Sequence, residues 1–280
     1  KVVKLEGGLL ILTSPLGRKP VKDWINKYTI VEDIELVDIT ESSAMLALSG
    51  PLSENVLLQL FQRTSLDCEV SEAMAVPWNE GTAIIVRTDS FGMPGFDIIV
   101  DLEGATSLWE SCVQISEDVG LTLAGERAIE ILRIENRIPK WGSELSLDYN
   151  PIEAGLTSSI SWSKGCYIGQ EVIARLWTYH KVQKYLVGIV FDSSFPPEVG
   201  SDLRIQTKKV GILTSVTFHP KEGRHWGLGY LKASEVRIGS IIDIGSEFNS
   251  MISGKIIGIP EIPNHQIPQD ILRLEEGLEN

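Results

Sequence analysis

Apolar residues in this chain come in short blocks punctuated by Gly, Pro and acidic residues, and the spacing inside each block predicts its element. Gly7-Gly8 followed by the apolar run at 9–13 predicts a turn and a buried strand. Residues 14–20, with two prolines, a glycine and two basic side chains, read as a turn-rich basic segment. Apolar and acidic residues alternate through 33–40, the pattern of a half-exposed strand. The run 44–50 predicts a buried strand ending at Gly50. Pro51 then opens a helix with Val56, Leu57, Leu60 and Phe61 on one side. Residues 83–88 and 96–100 predict two strands joined by a Gly/Pro-rich loop at 89–95. Helical spacing returns at 105–119, with Leu108, Cys112 and Ile115 inward. It returns again at 125–135, with Ile129 and Leu132, and Ile131 beside them, toward the core.

After Lys181 the pattern changes. Short apolar runs at 185–191, 209–216, 226–231 and 251–259 are split by Gly, Pro and Asp, which predicts a small antiparallel barrel. The expected organisation is an α+β domain at 1–183, a barrel domain at 184–259 and a tail at 260–280. Prolines 260, 263 and 268, then Glu275-Glu276, suggest an extended tail ending in a short acidic helix.

The stretch at 164–171, Lys-Gly-Cys-Tyr-Ile-Gly-Gln-Glu, concentrates the candidate chemistry. Two glycines permit a tight turn, and helical spacing follows at 172–177, where Ile173 and Trp177 share a face. A helix N-terminus carries unpaired N–H groups and a partial positive charge, and Lys164 adds a full one. These are the surroundings of a reactive or metal-binding thiolate, and they single out Cys166. By spacing alone the same residues fit a small buried cysteine and a solvated lysine. Elsewhere, Arg127, Arg133, Arg137 and Lys140 form the densest basic run in the chain, the ordinary pattern of a solvated helix face.

The Lys-Gly-Cys-Tyr-x-Gly-Gln-Glu motif followed by Val-x-Ala-Arg resembles the signature of the folate-binding iron–sulfur cluster assembly factors (YgfZ-like), relatives of the glycine-cleavage T-protein, an aminomethyltransferase. Three further stretches resemble the same superfamily: the Arg-Thr…Gly-Phe-Asp-Ile pattern from Arg87 to Ile98, Leu-Arg-Ile-Glu-x-x-Ile-Pro from Leu132 to Pro139, and residues 150–156. The resemblance implies a T-protein-like folate-binding α+β fold with a C-terminal antiparallel barrel. It implies Cys166 and Lys164 as catalytic residues, and Asp97, Glu135, Tyr167 and Gln170 around tetrahydrofolate or a derivative. A carboxylate at Glu135 suits a pterin, whose adjacent N–H and amino groups donate in parallel to two oxygens. Taken alone, Asp97 fits equally a solvent-facing acid beside a hairpin tip.

Two positions depart from the transferase. Where the T-protein has an aspartate pair, this chain has Lys19-Pro20-Val21-Lys22, with no carboxylate before Asp23, and Gln170 stands where the T-protein carries arginine. The acid/base group for aminomethyl transfer is then missing, which favours the assembly-factor branch over glycine cleavage.

Composition narrows the partners. The 280 residues are 43% hydrophobic and 22% charged, with a net charge of −13, an ordinary globular balance that excludes a sequence-independent nucleic-acid binder. No apolar run has transmembrane length, so no membrane partner is expected. Cys68, Cys112 and Cys166 are too scattered for a disulfide framework, and with the four histidines they show no metal-ligand spacing. A reducing compartment, no resident metal and a monomer are expected. The opening Lys1, read as a trimmed N-terminus, suggests a chloroplast stroma or mitochondrial matrix, with a bacterial cytoplasm as the alternative. Three functions remain open: a tetrahydrofolate-dependent factor for iron–sulfur assembly or client proteins, a folate-dependent one-carbon transferase, and a non-catalytic folate-binding scaffold.

Overall fold

The computed structural model describes residues 1–66, 68–179, 181–245 and 252–260, and the chain divides into two compact units, Lys1–Ala124 and Gly125–Asn280. Met251 and the expected tail beyond Pro260 lie outside the described residues.

In the first unit, β1 (Val2–Leu5) and β2 (Gly8–Ile11) form a hairpin, followed by α1 (Arg18–Tyr28), β3 (Ser43–Ser49), α2 (Ser53–Leu60), β4 (Ala73–Trp78), β5 (Gly81–Thr88), β6 (Gly95–Asp101) and α3 (Leu102–Val119). β3 to β6 make an antiparallel sheet in the order β3-β6-β5-β4. Alternate residues of β6 serve two different cores. Phe96, Ile98 and Val100 pack with Val56, Leu57 and Leu60 of α2 and Leu108 and Cys112 of α3. Ile99, with Val86 of β5, packs instead against Val3 and Leu10 of the hairpin. The sheet is therefore covered on both faces, which is why β6 reads as a continuous apolar run. Asp101 caps α3, accepting from the Gly104 N–H at 2.7 Å, and Gly120 closes it with φ +68°.

Two expectations fail here. The segment 14–20 is not all turn: a 3-10 turn at Pro15–Gly17 leads straight into α1. Pro20 falls in the first helical turn, where its missing N–H costs nothing because that donor has no intrahelical partner. Residues 33–40 form no strand. They have no ladder partner, and the segment is tied to α1 instead: Asp38 accepts from Arg18 Nε at 2.8 Å, and Arg18 also reaches Glu41 at 3.3 Å. The Arg18 guanidinium, with help from Thr40, pushes the Asp38 carboxyl down to about 2.

The second unit begins with α4 (Glu126–Glu135) and α5 (Gln170–Thr178) and continues into β7 (Lys184–Phe191), β8 (Asp202–Ile205), β9 (Lys208–His219), β10 (Arg224–Lys232), β11 (Ile241–Ile244) and β12 (Ile252–Gly258). These six strands close into an antiparallel barrel, β10-β7-β12-β11-β8-β9, which removes all free edges. Val187, Ile189, Phe191, Leu203, Leu213, Ile242, Ile244 and Ile256 fill its interior. The barrel strands start at Lys184, but the compact units divide at Ala124–Gly125, because α4 and residues 145–156 pack on the barrel's outer face. There Ile134 and Ala154 meet Leu186, Leu228 and Tyr230.

The buried ring of Phe191 depends on glycine neighbours. A Cβ at Gly227 would lie 2.6 Å from the Ser215 carbonyl oxygen and 2.9 Å from the Phe191 ring. The backbone oxygen cannot yield, so Gly227→Ala is expected to cost about 1–3 kcal/mol, the usual penalty for overpacking. Urea unfolding of the two proteins checks this, and a change below about 0.5 kcal/mol would show that the barrel relaxes.

The face of α4 differs from the expected one. Ile129 is exposed, while Ile134 and Arg133 are buried. Arg133 is thus not part of a solvated basic patch. Its Nη1 donates to Glu144 at 2.9 Å and to the Ile138 carbonyl at 2.8 Å. Its Nη2 donates to Ser215 at 2.8 Å, and Glu130 takes the guanidinium edge in bidentate fashion. Arg137 also turns inward, donating to the Ile259 carbonyl at 2.7 Å.

Candidate functional site

The turn before α5 gathers four of the residues singled out in the sequence. Gly169 has φ +87°, a conformation open to glycine, and this directs the chain from Tyr167 into α5. The Gln170 N–H donates to the Tyr167 carbonyl at 3.1 Å, and the Ile173 N–H donates to the Gly169 carbonyl at 3.2 Å. Lys164 is held from two sides: its N–H donates to Ser161 Oγ at 3.2 Å, and its Nζ lies 4.7 Å from the centre of the Tyr167 ring. That cation–π contact occupies the ammonium group on the aromatic face. Ile173 anchors the helix in the barrel core, and Trp177 packs against Trp162 in a tilted ring contact with centres 4.4 Å apart.

Cys166 is exposed, whereas Cys68 and Cys112 are buried. Burial also raises the Cys112 thiol above its ordinary range, which suppresses its thiolate. Of the three thiols, the one in the glycine turn is the one reagents and partners can reach.

Glu135 ends α4, and its carboxylate is 43% exposed. Its Oε2 lies 3.6 Å from His219 Nε2. His219 accepts the Glu222 N–H at Nδ1, 3.2 Å away, so the remaining ring proton sits on Nε2, toward Glu135. His219 stacks on Trp226 across the β9–β10 hairpin, with centres 4.7 Å apart. The Trp226 indole N–H is buried without a hydrogen-bond partner and borders a cavity of about 330 Å³ that Arg224 and Lys255 also line. His219 and Trp226 escaped the sequence reading. They lie seven positions apart in two different strands, and only the hairpin register brings them together.

Asp97 belongs to the first unit, on the β6 face that the β1–β2 hairpin covers, and it is nearly buried. Its Oδ2 accepts from Lys1 Nζ at 2.9 Å. The stretch lacking the aspartate pair is α1, where Asp23 is engaged by Lys19 one turn earlier. Among the described residues, no group of three or more His, Cys, Asp or Glu gathers to hold a metal ion, and no helix is long and apolar enough to cross a membrane.

The fold is that of an aminomethyltransferase T-protein. The crystal structure of glycine cleavage system aminomethyltransferase T from Bartonella henselae matches with a TM-score of 0.73, at 20% identity, over 87% of this chain and 66% of that one. The chain belongs to the family defined by the GCVT N-terminal domain, which matches residues 2–164, and with it to the aminomethyltransferase-like superfamily. It is 33% identical, over 89% of its length, to a chloroplastic protein of Arabidopsis thaliana provisionally named a transferase. It is 27% identical over 79% of its length to an aminomethyltransferase of Alkaliphilus oremlandii, and 29% identical over 92% to one of a Geobacillus strain. The chain spans 56% and 60% of the Arabidopsis and Alkaliphilus proteins.

Proposed function

We propose that this protein is a tetrahydrofolate-dependent factor in iron–sulfur cluster assembly or repair, with Cys166 as the working thiol. The observation that carries this reading is the exposure of Cys166 in a glycine-built turn, while both other cysteines are buried. The turn's Lys-Gly-Cys-Tyr-x-Gly-Gln-Glu sequence supports the assembly branch. Tetrahydrofolate suits the residues present. Glu135 offers a half-exposed carboxylate to the paired donors of a pterin, beside a stacked His219–Trp226 wall whose indole N–H has no partner. When bound, folate would supply one-carbon chemistry. This chain's own residues would orient it, through Glu135 together with Tyr167 and Gln170 of the second unit. Lys164, fixed over Tyr167, would keep a positive charge beside the thiol turn. The chloroplastic relative supports an organelle interior such as the stroma.

Aminomethyltransferase relatives favour a second reading, a folate-dependent one-carbon transferase. Against it stands α1, where Asp23, the first acid of the stretch, is engaged by Lys19. A third reading is a folate-binding scaffold without catalysis.

Growth complementation of a cell lacking such a factor separates these readings. Wild type is expected to restore iron–sulfur enzyme activity, and Cys166→Ala to fail while remaining folded. Rescue by Cys166→Ala at wild-type level would remove the thiol from the mechanism. Turnover of methylene-tetrahydrofolate with an amine donor would select the transferase. In the same preparation, an alkylating reagent is expected to label Cys166 well before Cys68 or Cys112.

A further inference from the structure

We propose that the barrel carries a second ligand site, for a small multiply charged oxyanion, built by Lys184, Lys232 and Lys209 around a cavity beside Tyr149 and Tyr230. The cavity has a volume of about 420 Å³ and is lined by these residues with Val210, Gly211 and Ile212. It lies entirely within the second unit and does not rest on the folate reading.

The strand register makes the site unusual. Lys184 of β7 and Lys232 of β10 are direct cross-strand partners, so two ammonium groups are held on one face of the ladder. Like charges in that position are destabilising. Among the described residues neither makes an ion pair. Lys209 does, with Asp202 at 2.5 Å. Glu235 is within electrostatic reach of Lys232 but is engaged by Lys208 at 2.7 Å. Asp148 and Glu153 act on Tyr149.

Lys184 is also preorganised. Its Nζ sits 5.0 Å from the Tyr149 ring centre, and the two tyrosine rings stack at 3.6 Å and 9°. The Tyr230 hydroxyl donates to the Glu144 carbonyl at 2.9 Å, which fixes the stack to the barrel. A rigid aromatic base thus holds a lysine beside a like charge at the rim of a cavity, in a chain of net charge −13. An anion spanning the rim offsets the repulsion that the register builds in. The cavity exceeds a single phosphate, so the shared ligand chemistry is a chain of oxyanions, either a phosphoanhydride or a polycarboxylate.

Calorimetry of the full chain at physiological ionic strength, titrated separately with pyrophosphate and with triglutamate, tests the proposal. Saturable binding of one equivalent of either probe is expected, and the tighter probe identifies the source. Lys184→Gln with Lys232→Gln is expected to weaken it by about tenfold or more. The double variant should melt no lower than wild type, because the substitutions remove a repulsion. Absence of saturable binding by both probes, or equal binding by the double variant, would overturn the site. A destabilised double variant would overturn the repulsion argument, and the single variant Lys232→Gln then measures binding in a folded chain.

Discussion

Replacing Arg133 with leucine is expected to lower the stability of the barrel unit by about 3–5 kcal/mol at neutral pH, the cost of breaking a buried ion pair from one side. Glu144 is fully buried, and its oxygens meet Arg133, the Lys140 N–H, Thr214 and Ser215. Without the guanidinium it keeps neutral donors but loses its counter-charge. Chemical denaturation of the unit's transition measures the loss. Glu144→Gln added to Arg133→Leu should recover at least about 1 kcal/mol, since an uncharged amide no longer needs a cation. A single variant within about 1 kcal/mol of wild type would show that the network is not holding α4 to the barrel.

The same substitution has a pH signature. Arg133, by hydrogen bonds to Glu130, holds that carboxyl below its ordinary range. A depressed carboxylate contributes stability that is present above its unfolded value and lost as pH falls through the folded one. The gap between wild type and Arg133→Leu should therefore be full near pH 7 and narrow below about pH 4. A gap that widens on acidification would contradict the assigned partner.

Glu135→Ala should weaken tetrahydrofolate binding by about 1.5–3 kcal/mol, or roughly ten- to a hundredfold, the range for hydrogen bonds to a charged group. The carboxylate stands at the C-terminal end of α4 with 43% of its side chain in solvent. Substitution thus removes a ligand contact without opening the core. His219 is its neighbour in the free protein, at a separation longer than a hydrogen bond, and this leaves the carboxylate oxygens available. Glu135→Gln keeps the shape and one acceptor and should fall between the two. Cys166→Ala should leave the dissociation constant unchanged, which separates binding from thiol chemistry. An unaltered constant in Glu135→Ala would mean that the pterin is read by other groups.

Signals that act within a few residues are legible in the sequence. The barrel strands show as short apolar runs because both their interior and much of their outer face are buried. The Gly169 turn and α5 are legible because a positive φ demands glycine and a helix declares its apolar face by spacing. What the sequence could not determine depends on partners distant along the chain. Residues 33–40 alternate like a strand, yet no neighbouring strand offers a ladder, and Arg18 clasps Asp38 instead. α4 turns Arg133 inward and Ile129 outward because Glu144 and Ser215 satisfy a guanidinium there. His219 meets Trp226, and Lys184 faces Lys232, only through the register of β10 with its two neighbours. Periodicity carries local preference. Which charges become neighbours is set by strand pairing across the barrel, and no local pattern encodes that.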